Sequence, residues 1–146
     1  MPHHPHHPPV FTTSLEVRWS DQDVNGHVNN ARVLTLIEEA RIKAGHSWVA
    51  RDPAHSSLPR VVRSISLDFR RPIHYGPELT ASVWVSRLGN TSFTVQHELF
   101  QEEALCVASE AALVLLDPAT GKPTPMPEAL RAALEKALTD DAEGSS

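Results

Sequence analysis

The sequence predicts an α+β fold in which one antiparallel β-sheet wraps around a single apolar helix. Three observations predict it. An apolar-rich stretch of helical periodicity, residues 31–44, stands early in the chain. Four stretches of two-residue periodicity follow, joined by short turn signals. The chain has 146 residues, 40% hydrophobic and 21% charged, which supports one packed core and leaves little room for a second domain. A helix apolar over more than half its surface must be covered, and hairpin-linked strands offer the apolar face that covers it.

The elements follow in order. Residues 1–10 hold four of the nine histidines among repeated prolines, which block helix and sheet ladders, so a flexible tail is expected. Paired imidazoles there can capture zinc or nickel, but a flexible tail lacks the fixed geometry of a metal site. Leu15, Val17 and Trp19 alternate with Ser14, Glu16 and Arg18, which predicts a strand. A polar turn over residues 20–30 is centred on Asn25-Gly26. In the following helix Val33, Leu34, Leu36, Ile37, Ala40 and Ala44 are apolar, predicting that it is largely buried. Asn29 or Asn30 can cap its start, Glu39 can pair with Lys43, and Gly45 can end it.

An irregular stretch with Pro53 and Pro59 comes next. Val61, Ile65, Leu67 and Phe69 predict a strand ending before Pro72; Leu79, Ala81, Val83 and Val85 predict another, and Gly89-Asn90 a tight turn. Phe93, Val95 and Leu99 mark the next strand, and residues 106–116 the last, apolar on both faces from Ala111 onward. Pro127 suits the first position of a final helix with Leu130, Leu134 and Leu138 inward. The expected organisation is a tail over 1–10, one domain over 11–138, and a second flexible tail over 139–146.

Charge and cysteine content exclude several function classes. Thirteen Lys and Arg against 18 Asp and Glu give a net charge of -5, so no broad cationic surface for nucleic acid or membrane is expected. The lone Cys106 rules out an internal disulfide framework and a cysteine-only zinc site. No apolar run approaches the ~20 residues that span a bilayer, and the His/Pro opening does not read as a signal peptide. A cytoplasmic protein is the expectation.

Polar residues concentrate between Trp19 and Ala31. Asp21, Asp23, Asn25 and Gly26 match the first, third, fifth and sixth positions of a calcium loop, but the twelfth is Arg32 instead of a bidentate Glu, so calcium is rejected. Asp, Asn and Gly are also ordinary turn residues. The turn alone does not explain Asp23, Asn25 and His27 at alternate positions, a carboxylate, an amide and an imidazole just before a helix N-terminus. There, free N–H groups and the helix dipole stabilise negative charge, and a base or nucleophile beside an oxyanion site is the minimum apparatus for acyl transfer.

The run from Asp21 through Ala31, followed by Glu38-Glu39-Ala40-Arg41 on the helix, resembles the hotdog-fold acyl thioesterases, most of all the 4-hydroxybenzoyl-CoA thioesterase group. Residues 23–30 are also similar to plant-type acyl-ACP thioesterases, and Arg71-Pro72 with residues 76–79 looks like the family's connection between its second and third strands. The resemblance implies a hotdog sheet around its central helix, assembled as a homodimer or homotetramer with active sites at the interface. It implies hydrolysis of an acyl-CoA thioester, with Asp23 as base or nucleophile, the Asn30 backbone N–H as oxyanion donor, and Asn25 and His27 accompanying them. In some bacterial relatives Tyr precedes the motif and His stands at the helix start; Trp19 and Asn30 hold those places here. No cofactor and no metal is implied, CoA being part of the substrate.

Arg70, Arg71 and Arg87 are candidates for the CoA phosphates, since guanidinium forks suit phosphate. Glu38 with Arg41 and Glu39 with Lys43 read as surface pairs rather than catalytic acids. His46, His55, His74 and His97 read as structural or exposed and Cys106 as core; Trp48 and Trp84 fit core packing better than an acyl pocket. Three alternatives remain: an acyl-ACP thioesterase, a non-catalytic acyl-thioester binder, and a hotdog hydratase.

Overall fold

The computed structural model describes residues 10–49 and 58–139. Five strands, β1 (Phe11–Leu15), β2 (Arg60–Phe69), β3 (Leu79–Leu88), β4 (Ser92–Gln101) and β5 (Ala104–Leu115), form one antiparallel sheet in the order β1-β3-β4-β5-β2. Helix α1 (Asn30–Val49) crosses one face of it and helix α2 (Glu128–Lys136) packs against α1 and β3. This is the expected sheet around one helix, the hotdog architecture.

The cross-strand register explains which face α1 covers. Ala81, Leu99 and Val107 lie side by side, as do Val83, His97 and Ser109, and Val85, Val95 and Ala111, and every one of them is buried. The opposing stripe of α1 is Val33, Leu36, Ile37, Ala40 and Ala44, spaced at three and four residues as a helix face requires. Ala40 and Ala44 are fully buried; having no side chain beyond Cβ, they let the helix approach the strands closely.

Several element boundaries differ from the sequence pattern. The first strand ends at Leu15 and Trp19–Asp21 is a single 3-10 turn, so Trp19 stands 72% exposed. Gly45 does not end α1, which runs four residues further. The helix buries one stripe instead of most of its surface, leaving Leu34 and Ile42 exposed. In β2, the terminal strand of the described sheet, the ladder to β5 slips between Val62 and Ser64, and Val61 and Phe69 are exposed.

Pro127 precedes the first turn of α2 with φ −61°, and Leu130 and Leu134 are buried, but the helix closes before Leu138, which is exposed. Thr139, assigned to the C-terminal tail, is buried and its N–H donates to the Val85 carbonyl. The remaining tail residues, 1–9 and 140–146, and His55 lie outside the described residues.

Candidate active site

The turn before α1 is built around a buried carboxylate. Asp21 is 3% exposed; its Oδ2 accepts the Arg18 N–H at 2.9 Å, its Oδ1 accepts Arg18 Nη2 at 3.1 Å, and Arg32 Nε stands 3.9 Å away. Burial alone would raise its pKa, but the Arg18 N–H, the Arg18 guanidinium and the Arg32 charge together hold it below the usual carboxylate value. Its carbonyl also accepts the Asn29 N–H at 2.9 Å, so one residue ties the beginning of the loop to the start of the helix. The far side of the loop is pinned by Val28, whose N–H donates to the Ile73 carbonyl at 2.8 Å.

Asp23 occupies the rim of that frame. Its Oδ1 accepts the N–H groups of Asn25 (2.9 Å) and His27 (3.2 Å), while its own N–H donates to the His27 carbonyl at 2.7 Å. The loop closes through Gly26, whose φ of +78° suits glycine and whose N–H reaches the Asp23 carbonyl at 3.0 Å. The carboxylate is thus oriented through one oxygen, and among the described residues Oδ2 has no protein partner.

The helix start leaves one donor open. Asn29 is the cap: its Oδ1 accepts the Ala31 N–H at 2.8 Å and its carbonyl accepts those of Arg32 and Val33. Of the first four amides of α1, the Asn30 N–H alone has no hydrogen-bond partner among the described residues.

Asp23, His27, Asn30, Arg70 and Arg71 meet at a cavity of about 280 Å³ whose apolar wall includes Val33, Phe69 and Ile73. The backbone N–H groups of both arginines donate to the Cys106 carbonyl, fixing the bend after β2. Arg70 spends its side chain on Asp68, at 2.7 Å, whereas Arg71 has no ion-pair partner among the described residues. The His27 ring meets His74 edge to face, centroids 5.1 Å apart. Asn25 does not line this cavity: it is exposed, and its contribution is the backbone N–H that orients Asp23. Arg87 is not brought here either. It lies near the end of β3 opposite Leu79, the residue that pairs with Leu15 just before the turn, roughly 25 Å along the strand.

A second cavity, of about 590 Å³, lies beside the C-terminal half of α1, between it and strands β2, β4 and β5. Trp48, read from sequence as core, is half-buried on its wall; Trp84 is buried on the sheet face opposite α1. Arg41 also lines it, as does Glu38; the expected pair between them does not close to ion-pair distance, although the Glu38 charge still acts on the Arg41 guanidinium. Its Nη1 instead meets Nε2 of the buried His97 at 3.4 Å, while His97 Nδ1 lies 3.3 Å from the Ser109 carbonyl. Burial, with the Arg41 charge adding to it, pushes His97 down to about 3 and keeps the imidazole neutral. The Glu39–Lys43 pair does form, at 3.7 Å. Sequence reasoning did not find the Arg41–His97 contact, because a charged residue on a helix reads as solvated until its neighbours are known.

Among the described residues no group of three or more His, Cys, Asp and Glu side chains is arranged to hold a metal ion, and no helix is long and apolar enough to cross a membrane. Residues 17–134 match the thioesterase-like superfamily. The chain is 30% identical over 131 residues to the long-chain acyl-CoA thioesterase FadM of Escherichia coli, covering 85% of this chain and 96% of that one. It superposes on a thioesterase from Thermus thermophilus, solved with coenzyme A and zinc, with a TM-score of 0.77, 32% identity and coverage of 88% and 93%. A predicted thioesterase from Bacillus stearothermophilus gives a TM-score of 0.81 at 28% identity, covering 89% and 97%. The chain therefore belongs to the thioesterase-like superfamily and carries the hotdog fold of its thioesterase relatives.

Proposed function

We propose that this chain hydrolyses acyl-CoA thioesters at the 280 Å³ cavity. One observation carries the reading: among the described residues, the same cavity holds a carboxylate with a free oxygen, a helix-start N–H with no partner, and a guanidinium with no ion-pair partner. With the thioester carbonyl oxygen on the Asn30 N–H, negative charge developing on it meets a fixed donor and the positive end of the helix dipole. Asp23 either takes a proton from water, whose oxygen then attacks the carbonyl carbon to give the acid directly, or attacks that carbon itself to form an acyl–Asp23 anhydride that a water then hydrolyses to the acid and the free carboxylate. In both routes the C–S bond breaks and CoA leaves as its thiol after protonation. Arg71, and secondarily Arg70, receives phosphate of the CoA arm, while His27 shapes the wall beside Asp23. The acyl group lies along α1 toward the larger cavity. The relative that acts on long-chain acyl-CoA and the relative solved with coenzyme A support the choice of thiol.

The assembly belongs to the same proposal. Strand β2 is an unflanked sheet edge with Val61, Val62 and Phe69 exposed, and a second copy pairing there would extend the sheet and cover them.

Thiol release from a panel of short, long and aromatic acyl-CoA esters tests the activity. At least one class is expected to turn over; release from none of them would remove the acyl-CoA reading in favour of an acyl-ACP substrate or a binding role.

A further inference from the structure

We infer that the acyl group handled by this chain carries an oxygen acceptor well away from its thioester end, and that Arg41 receives it. The inference rests on the acyl-thioester reading above, and it begins from an imbalance. Arg41 is half-buried on the wall of a cavity whose apolar part is Ile42, Trp48, Val61, Phe93 and Leu113; Glu38, one turn earlier on α1, lines it too, and its charge acts on Arg41 without reaching ion-pair distance. A guanidinium has five N–H donors. Among the described residues this one fills a single side-chain contact, to His97 Nε2, and has no carboxylate within ion-pair distance. The other cation on the wall, Arg60, is already engaged in an interaction of its own. Withdrawing a charge from water without filling its donors is unfavourable, so the arrangement suits a group that arrives with the ligand.

The support beneath Arg41 is fixed in the same sense. With Nδ1 donating to the Ser109 carbonyl, the neutral His97 ring presents Nε2 as an acceptor and holds one edge of the guanidinium, leaving the remaining N–H groups available.

Position along the helix connects this cation to the reacting end. Arg41 lies eleven residues beyond Asn30, three turns plus about 20°, so both occupy one flank of α1, with the exposed Leu34 between them. The separation along the axis is about 16 Å, and helical side chains lean back toward the N-terminus, which shortens it to roughly 10 Å. An extended acyl chain of about eight to twelve carbons spans that gap at about 1.3 Å per bond. A thioester on the Asn30 N–H therefore delivers the outer part of such a chain to Arg41. A terminal carboxylate would take the guanidinium fork in two parallel hydrogen bonds; a hydroxyl or keto oxygen would take one.

The test compares three CoA esters of equal length in that range: plain alkyl, ω-hydroxy and ω-carboxy. For the wild type, kcat/KM is expected to be about tenfold or more higher for one or both oxygenated esters than for the plain one, the span of a hydrogen bond to a charged group. Arg41→Met, which keeps length and apolar bulk, is expected to bring that ratio to about one, and Arg41→Lys to restore part of it for the ω-carboxy ester. Wild type favouring the plain ester, or an unchanged ratio in Arg41→Met, overturns the inference. Calorimetric binding of the free ω-carboxy and ω-hydroxy acids to wild type and Arg41→Met separates this outcome from failure of the activity itself. If no ester is hydrolysed but an acid binds only with Arg41 present, the thioesterase reading falls and the Arg41 site stands; if esters are hydrolysed with no dependence on Arg41, the reverse holds.

Discussion

Asp21 and Asp23 are two residues apart and indistinguishable by type, yet their surroundings divide the work between them. Asp21 is surrounded by Arg18, Arg32 and the Asn29 amide and holds the loop; Asp23 keeps one oxygen open at the cavity. His97 shows the same dependence on environment, and its consequence is measurable. The folded protein keeps it neutral down to about pH 3, whereas in the unfolded chain it protonates near 6.5. Between those values the unfolded state binds a proton that the folded state does not, so stability is lost as pH falls, with a limiting slope of about 1.4 kcal/mol per pH unit. Urea titrations from pH 7 to 4.5 should therefore show the advantage of wild type over His97→Gln shrinking as pH drops. Parallel stability curves for the two proteins would contradict the buried, neutral imidazole. Neither Asp21's structural role nor the His97–Arg41 contact was legible in the sequence, since each rests on partners brought in by the fold; the candidacy of Asp23 was, because its turn and the following helix are local.

At the scale of elements, the two-residue and helical periods located β2 to β5 and both helices, but the first strand, expected over residues 14–19, lies at Phe11–Leu15, and the errors cluster where local signals compete with packing. Gly45 sits inside α1 because the helix continues to pack beyond it, with Trp48 and Val49 on the wall of the larger cavity. Trp19 alternates correctly for a strand but is drawn into a 3-10 turn by Asp21 bonding back to Arg18. The exposure of β2 has a different origin. Alternation predicted a strand there, and among the described residues no strand pairs with its outer edge. If a second copy pairs there, sedimentation velocity should show a dimer or larger species, and Val62→Asp should shift it toward monomer by placing a charge in the covered surface. A monomeric wild type at micromolar concentration would rule that pairing out.

At the scale of the whole molecule, a helix lying across a sheet brings together what the sequence keeps apart. The turn over residues 20–30 meets the bend at Arg70 and Arg71 only because β5 supplies the Cys106 carbonyl to both bend amides and Ile73 accepts from Val28. Arg70 and Arg71 were legible as candidates, but so was Arg87, and only the topology separates the pair at the cavity from the one at the far end of β3. If the Asp23 carboxylate performs the chemistry in this cavity, Asp23→Asn removes that chemistry and little else. The amide keeps an oxygen to accept the Asn25 and His27 N–H groups, so the loop is preserved while the base or nucleophile is lost. Measured on the best ester of the panel, kcat should fall by about two orders of magnitude or more, with KM and the thermal midpoint little changed. A variant that keeps its fold and turns over within about threefold of wild type would contradict the account.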